Sequence, residues 1–134
     1  MPETMSSRPS ILVVEDFQLL RASVVQWLQV RFPGCTVEGV DSGERALEHA
    51  SAARLDVVVM DINLPGIDGL KAARRLKEKA PETAVVMLTT YDTPWHRRAA
   101  ERAGAAAFVA KRDMETELEA TVLGALHLDT RKPS

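Results

Sequence analysis

Five residues from four separate stretches of this chain could do chemistry together: Glu15, Asp16, Asp61, Thr89 and Lys111. Each stands at or just past the end of a short apolar, β-branched run, ILVV, VVVM, VVML or AAAFV, and such runs read as buried strands. If the strands are parallel neighbours, three carboxylates, one hydroxyl and one ammonium converge at a single sheet edge. Two carboxylates about 4 Å apart repel by roughly 4 kcal/mol at an effective dielectric of 20, so a cluster of three calls for a cation. Few, hard oxygen ligands with room for water suit Mg²⁺ better than zinc or a closed calcium cage. Such a metal lowers the charge around Asp61 and draws in a phosphoryl donor that bare carboxylates would repel. Aspartate is a competent covalent phosphate acceptor, and Thr89 and Lys111 supply a donor and a positive charge for the remaining phosphoryl oxygens.

The elements that must position these residues alternate. Strands are expected at Ser10 to Val14, Thr36 to Val40, Leu55 to Met60, Ala84 to Leu88 and Ala105 to Val109. The first helix is marked by Phe17, Leu20, Val24, Trp27 and Leu28 at helical spacing and broken by Pro33-Gly34. A second is capped by Asp41-Ser42 and runs to about Ala52, and a third runs from Asp68 to Lys79. The fourth opens at Asp92-Thr93-Pro94 and closes at Gly104, and Asp113 caps the last, which reaches about His127. Five strands alternating with five helices make a doubly wound α/β domain with a parallel sheet and right-handed crossovers. Ligands in such folds bind beyond the carboxyl ends of the strands, where the five residues lie.

A length of 134 residues fits one domain, expected over 10–128, with Met1 to Pro9 a disordered leader and Asp129 to Ser134 a polar tail or the start of a linker. The balance of 46% hydrophobic against 27% charged residues is that of a folded, soluble domain. A net charge of −2 offers no field for nucleic acid or anionic membrane, and neither is expected as a direct partner. Cys35 is the single cysteine, which excludes an internal disulfide; with no apolar run able to span a bilayer and no signal peptide, the expected location is the cytoplasm.

In order along the chain, ILVVED, VVVMDINLPGIDGL, VVMLTT and AAAFVAK resemble the receiver domains of two-component response regulators, from Ile11 to about Leu126. The resemblance implies a flavodoxin-like fold with strand order 2-1-3-4-5 and a signalling switch rather than an enzyme, phosphorylated on Asp61 by a histidine kinase or phosphotransfer protein. It implies further that Asp16 binds Mg²⁺ directly, Glu15 helps through water, and the Asn63 carbonyl is another ligand. Thr89 and Phe108 become the switch pair whose rotation reshapes the face of helix 4, strand 5 and helix 5. Asn63 and Tyr91 flank the site and are expected to tune the phosphate's lifetime, Tyr91 by shielding it from water. One departure stands out: Arg112 follows Lys111 where many receivers have a cis proline, and a cis bond there is not expected.

Other residues read more plainly. His49, His96 and His127 are expected at the surface, as is one solvated face with Arg97, Arg98 and Arg102; Thr90 is read as strand-favouring, and Tyr91 and Trp95 equally as exposed aromatics or as part of a signalling face. Leu118, Val122 and Ala125 share one stripe of the last helix; Leu123 and Leu126 lie off it as an expected exposed apolar strip, a candidate surface for a phosphorylation-dependent homodimer. A nucleotide- or flavin-binding enzyme of the same fold would carry a phosphate loop where Glu15-Asp16-Phe17 stands, and a pseudo-receiver would lack the chemical groups present here. A DNA-binding domain beyond Ser134, absent from this chain, is a further expected partner.

Overall fold

A computed structural model describes the backbone from Arg8 to Arg131 and the side chains through His127. Five parallel strands, β1 (Ser10–Val14), β2 (Thr36–Val40), β3 (Val57–Asp61), β4 (Ala84–Thr89) and β5 (Ala107–Ala110), form one sheet in the order β2-β1-β3-β4-β5. Between and after them run α1 (Gln18–Arg31), α2 (Gly43–Ala52), α3 (Gly69–Lys79), α4 (Pro94–Arg102) and α5 (Met114–Arg131). Alternation along the strands divides the core. Leu12, Val14, Val58, Met60 and Met87 pack against Ala46 of α2, Ala72, Ala73 and Leu76 of α3, and Ala100 of α4. Ile11, Val13, Val57, Val59, Val86 and Leu88 pack against Val24 and Leu28 of α1 and Leu118 and Val122 of α5. Each such side chain, buried on both sides, contributes roughly 1.5–3 kcal/mol of transfer free energy, which is why the central strands read as unbroken apolar runs.

Helix starts follow local hydrogen bonding. Ser42, Asp68 and Thr93 each accept from the backbone N–H three residues on, and Pro94 follows Thr93 in the first turn. The cap-then-proline start expected for α4 is thus met, whereas Asp113, expected as the cap of α5, ends a 3-10 turn over Lys111–Asp113 that leads into it. β3 begins two residues later than expected and ends on Asp61, so the acid is the last strand residue. β5 starts at Ala107 because the Ala105 N–H closes α4 onto the Ala100 carbonyl (3.0 Å) after Gly104 at φ 95°.

α5 continues past its expected end at His127 to Arg131, since nothing before Pro133 interrupts a helix. Leu126 lies in the core at 7% exposure, so of the expected apolar strip only Leu123, at 44%, is exposed. Phe17, expected to begin a buried stripe, is 59% exposed and precedes α1. Thr90 lies outside β4 and is exposed. Of the expected leader, Met1 to Ser7 lie outside the described residues, whereas Arg8 and Pro9 are held: Arg8 donates to the Gly34 and Pro33 carbonyls, and the Pro9 carbonyl accepts from Thr36 N–H at 2.9 Å. Of the tail, Lys132 to Ser134 are likewise outside the described residues.

Gly69, the first residue of α3, is set against the strand end that carries Asp61. Its N–H donates to the Ile62 carbonyl at 2.8 Å, and a Cβ on it would meet the Asp61 carbonyl oxygen at 2.1 Å and Ile62 Cα at 2.7 Å. Those obstacles are backbone and cannot rotate away. Gly69→Ala should therefore destabilise the protein by about 3 kcal/mol, the upper range of overpacking, when measured by urea unfolding; a loss below about 0.5 kcal/mol would show that the α3 approach is slack.

Candidate functional site

Strand register brings the acids level. Val14 of β1 pairs with Met60 of β3, so Glu15, the next residue, stands beside Asp61. Asp61 pairs with Leu88 of β4, and Thr89 pairs with Ala110 of β5, so Lys111 leaves β5 one residue beyond Thr89. Glu15, Asp16 and Asp61 each offer a carboxylate oxygen within 4.8 Å of the others, with Glu15 and Asp61 buried and Asp16 exposed.

Lys111 spans two of the acids: its Nζ donates to Glu15 Oε1 at 3.0 Å and to Asp61 Oδ2 at 3.2 Å. The remaining oxygens are met by backbone. Glu15 Oε2 accepts from Phe17 N–H (3.1 Å) and Asp61 Oδ1 from Asn63 N–H (3.2 Å). Burial pushes the Glu15 carboxyl above its ordinary range; the Phe17 N–H and the Lys111 ammonium oppose that, and the charge of Asp61 adds to it. Burial alone would lower Lys111, but its hydrogen bond to Glu15 and the charges of Asp61 and Glu15 outweigh it and hold the ammonium above its usual value. Thr89, fully buried, accepts from Tyr91 N–H at 3.2 Å. The Lys111–Arg112 peptide, like every peptide bond among the described residues, is trans.

All five residues singled out for their chemistry thus meet at one edge. Asn63 lies there too, exposed, with its N–H on Asp61. The donor set of three carboxylates is hard and incompletely neutralised by one lysine, and it fits a divalent cation of the Mg²⁺ type. Phe108, in β5, is half-buried against the α2–α3–α4 side of the core. The half-exposed Tyr91 ring stacks on His96, 5.3 Å between centroids, and Trp95 meets His96 edge-on at 5.0 Å.

The three histidines lie at the surface as expected: His127 is exposed, and His49 and His96 are partly so, His96 meeting Thr93 Oγ1 at 2.8 Å and His49 meeting Glu38 at 3.2 Å. Arg97 does not belong to a merely solvated face, because its Nε donates to Asp92 Oδ1 at 2.6 Å and its guanidinium lies 4.6 Å over the Phe108 ring. Reading the sequence missed this, and missed Arg112 donating to the same Asp92 carboxylate at 2.7 Å. No local pattern joins Asp92 to a residue twenty positions on; the arginine in place of the usual proline was the one available signal. Also missed was Arg21, whose Nη1 donates to the Glu15 carbonyl at 3.0 Å and so helps fix the turn after β1.

The family model of the response regulator receiver domain matches residues 11–123, and the chain belongs to that family. It is 37% identical over 102 residues to the response regulator GacA of Pseudomonas viridiflava, covering 75% of this chain and 47% of that protein. The chain thus spans about half the length of the curated relatives it matches. Among solved structures it is similar to the BeF3-activated DrrB receiver domain, with TM-score 0.79, 30% identity, and coverage of 88% of this chain and 97% of that one. Its fold is also similar to that of a CheY-like response regulator receiver domain protein from Methanospirillum hungatei JF-1, with TM-score 0.86 at 23% identity over 94% of this chain and 99% of that one. No helix among the described residues is long and apolar enough to cross a membrane.

Lys111 is the cation that lets two covered carboxylates stand together. Lys111→Met leaves Glu15 and Asp61, with side chains 6% and 8% exposed, to repel each other. It should lower stability at pH 7 without divalent metal by roughly 2 kcal/mol, less than the about 3–5 kcal/mol of a fully buried broken pair because the lysine itself is partly solvated. Adding Mg²⁺ should recover much of the loss. Urea unfolding with EDTA and with Mg²⁺ checks both; equal stability of variant and parent in EDTA would contradict the neutralising role.

Proposed function

We propose that this chain is the phosphoacceptor module of a two-component response regulator, acting in the cytoplasm, with Asp61 receiving a phosphoryl group from a histidine kinase or a histidine phosphotransfer protein. The observation that carries the proposal is the contact of one ammonium with two neighbouring carboxylates, Lys111 with Glu15 and Asp61, while Asp16 opens the same cluster to solvent. The BeF3-activated state of the similar DrrB domain supports it.

The residues that would hold Mg²⁺ are Asp16 and Asp61 directly, Glu15 through water, and the Asn63 carbonyl. Bound there, it would supply charge neutralisation and polarisation of the phosphoryl oxygens. The rest falls to the chain's own groups. An Asp61 carboxylate oxygen attacks phosphorus and forms the O–P bond as the P–N bond to the donor imidazole breaks; that nitrogen keeps the bonding pair. Lys111 shifts its ammonium toward a phosphoryl oxygen, and Thr89 Oγ donates to another. Thr89 and Phe108 then carry the change to the surface made by α4, β5 and α5. In a longer protein of the kind the curated relatives represent, that surface would govern an attached output domain, a DNA-binding one among them. Hydrolysis needs a water in line with phosphorus, and Tyr91, two residues past Thr89, is read as screening that approach against the ordering help of Asn63.

Incubation with acetyl phosphate and Mg²⁺ should add one phosphoryl mass to the intact protein, and Asp61→Asn should abolish the adduct. In the same time course Tyr91→Ala should lose its phosphate several-fold faster than the parent. An adduct persisting in Asp61→Asn would refute the acceptor; an unchanged or longer lifetime in Tyr91→Ala would refute the screen.

A further inference from the structure

Three residues past Thr89 in the chain lies a second charged group, which the phosphoacceptor chemistry leaves unused. Asp92 stands in the segment between β4 and α4 and holds two arginines at once: Oδ1 accepts from Arg97 Nε at 2.6 Å and Oδ2 from Arg112 Nη2 at 2.7 Å. The carboxylate is well covered, its side chain 13% exposed, whereas the arginines are 50% and 65% exposed. Such short, charge-assisted bonds are the stronger kind. The hydrogen bond from Arg97, with that from Arg112, holds the Asp92 carboxyl below its ordinary range despite its cover.

What each arginine touches gives the group its meaning. Arg97 lies over the Phe108 ring at 4.6 Å, within reach of a cation–π attraction. Arg112 is the residue directly after Lys111, in the middle of the 3-10 turn into α5. On the other side, Asp92 follows Tyr91, whose N–H donates to Thr89 Oγ1 at 3.2 Å. One carboxylate therefore ties together the segment leaving Thr89, the helix residue covering Phe108, and the turn carrying Lys111. Those are the three moving parts the proposed switch requires.

We propose that Asp92 is a positioning residue, a latch that holds the arrangement in which Arg97 covers Phe108 and Lys111 spans Glu15 and Asp61, so that occupation of Asp61 must release it. The proposal rests on the phosphoacceptor reading of Asp61. A Thr89 side chain that turns to give its hydroxyl to a phosphoryl oxygen draws Oγ1 away from the Tyr91 N–H. The segment then follows or loses its bond. Either way Asp92, the next residue, shifts against Arg97 and Arg112, and Arg97 is no longer held over the ring. Lys111, freed on its Arg112 side, can follow the phosphoryl group.

A contact made in only one of two arrangements lowers the apparent affinity of any ligand that favours the other. Removing the latch therefore tightens phosphoryl-site binding, an effect that a merely structural contact does not have, because losing such a contact weakens the fold and tightens nothing. The test is a beryllofluoride titration at fixed Mg²⁺, read by ¹⁹F NMR of the bound fluoride, on the parent, Asp92→Asn, Arg97→Gln and the double variant. Both single variants should reach half-saturation at about fivefold lower beryllofluoride, an ordinary coupling magnitude, and the double variant should gain no more than either one, since both break the same latch. Unchanged or weaker binding in either single variant, or additive tightening in the double, would overturn the latch. Absence of bound fluoride in the parent would instead overturn the reading of Asp61, and the latch with it.

Discussion

Two carboxylates set side by side at the covered end of a sheet repel each other, and the arrangement survives only if a positive charge stands between them. Here the Lys111 ammonium does so, 3.0 Å from Glu15 and 3.2 Å from Asp61. The rest of the domain serves that contact. The strand ladders bring Glu15 level with Asp61 and set Lys111 one residue past the Thr89 pair. Gly69, having no side chain, lets α3 press against the Asp61 backbone. The Phe17 and Asn63 N–H groups take up one oxygen of each carboxylate, leaving the ammonium to bridge the other two.

A single lysine cannot balance three acids. The residual negative charge, with Asp16 open to solvent, makes the cluster receptive to a second cation and, through it, to an anion that would otherwise be repelled. The same imbalance makes the site responsive. On the proposed function, an arriving phosphoryl group would give the lysine and the Thr89 hydroxyl a new partner, and whatever held them would have to yield. Among the described residues, the groups that hold their surroundings are the Tyr91 N–H and the Asp92 carboxylate with its two arginines.

Much of this was legible in the sequence because it depends on periodicity and on strand ends. Unbroken apolar runs mark strands buried on both faces, and the residue after each run is forced to the sheet edge; that logic found Glu15, Asp16, Asp61, Thr89 and Lys111 without coordinates. What escaped depends on geometry between distant segments. Thr93-Pro94 marked the start of α4, but nothing in the sequence showed that Asp92, just before them, turns to Arg97 and Arg112. Leu126 was read as lying off the buried stripe but is covered, because it stands four residues after Val122 and joins Leu118, Val122 and Ala125 in the core. Ala105 looked like strand, but after the left-handed Gly104 its N–H turns back to the Ala100 carbonyl and closes α4.

The central claim is that Glu15, Asp16 and Asp61 form one charge-deficient cluster built to take a divalent cation beside Lys111. A Mg²⁺ titration followed by ¹H–¹⁵N NMR tests it most directly. The account predicts a single saturable site whose largest shifts fall on the amides of Asp16, Asp61, Ile62 and Asn63, with saturation lost in Asp16→Asn. Shifts that never saturate, or a site that survives Asp16→Asn unchanged, would contradict it.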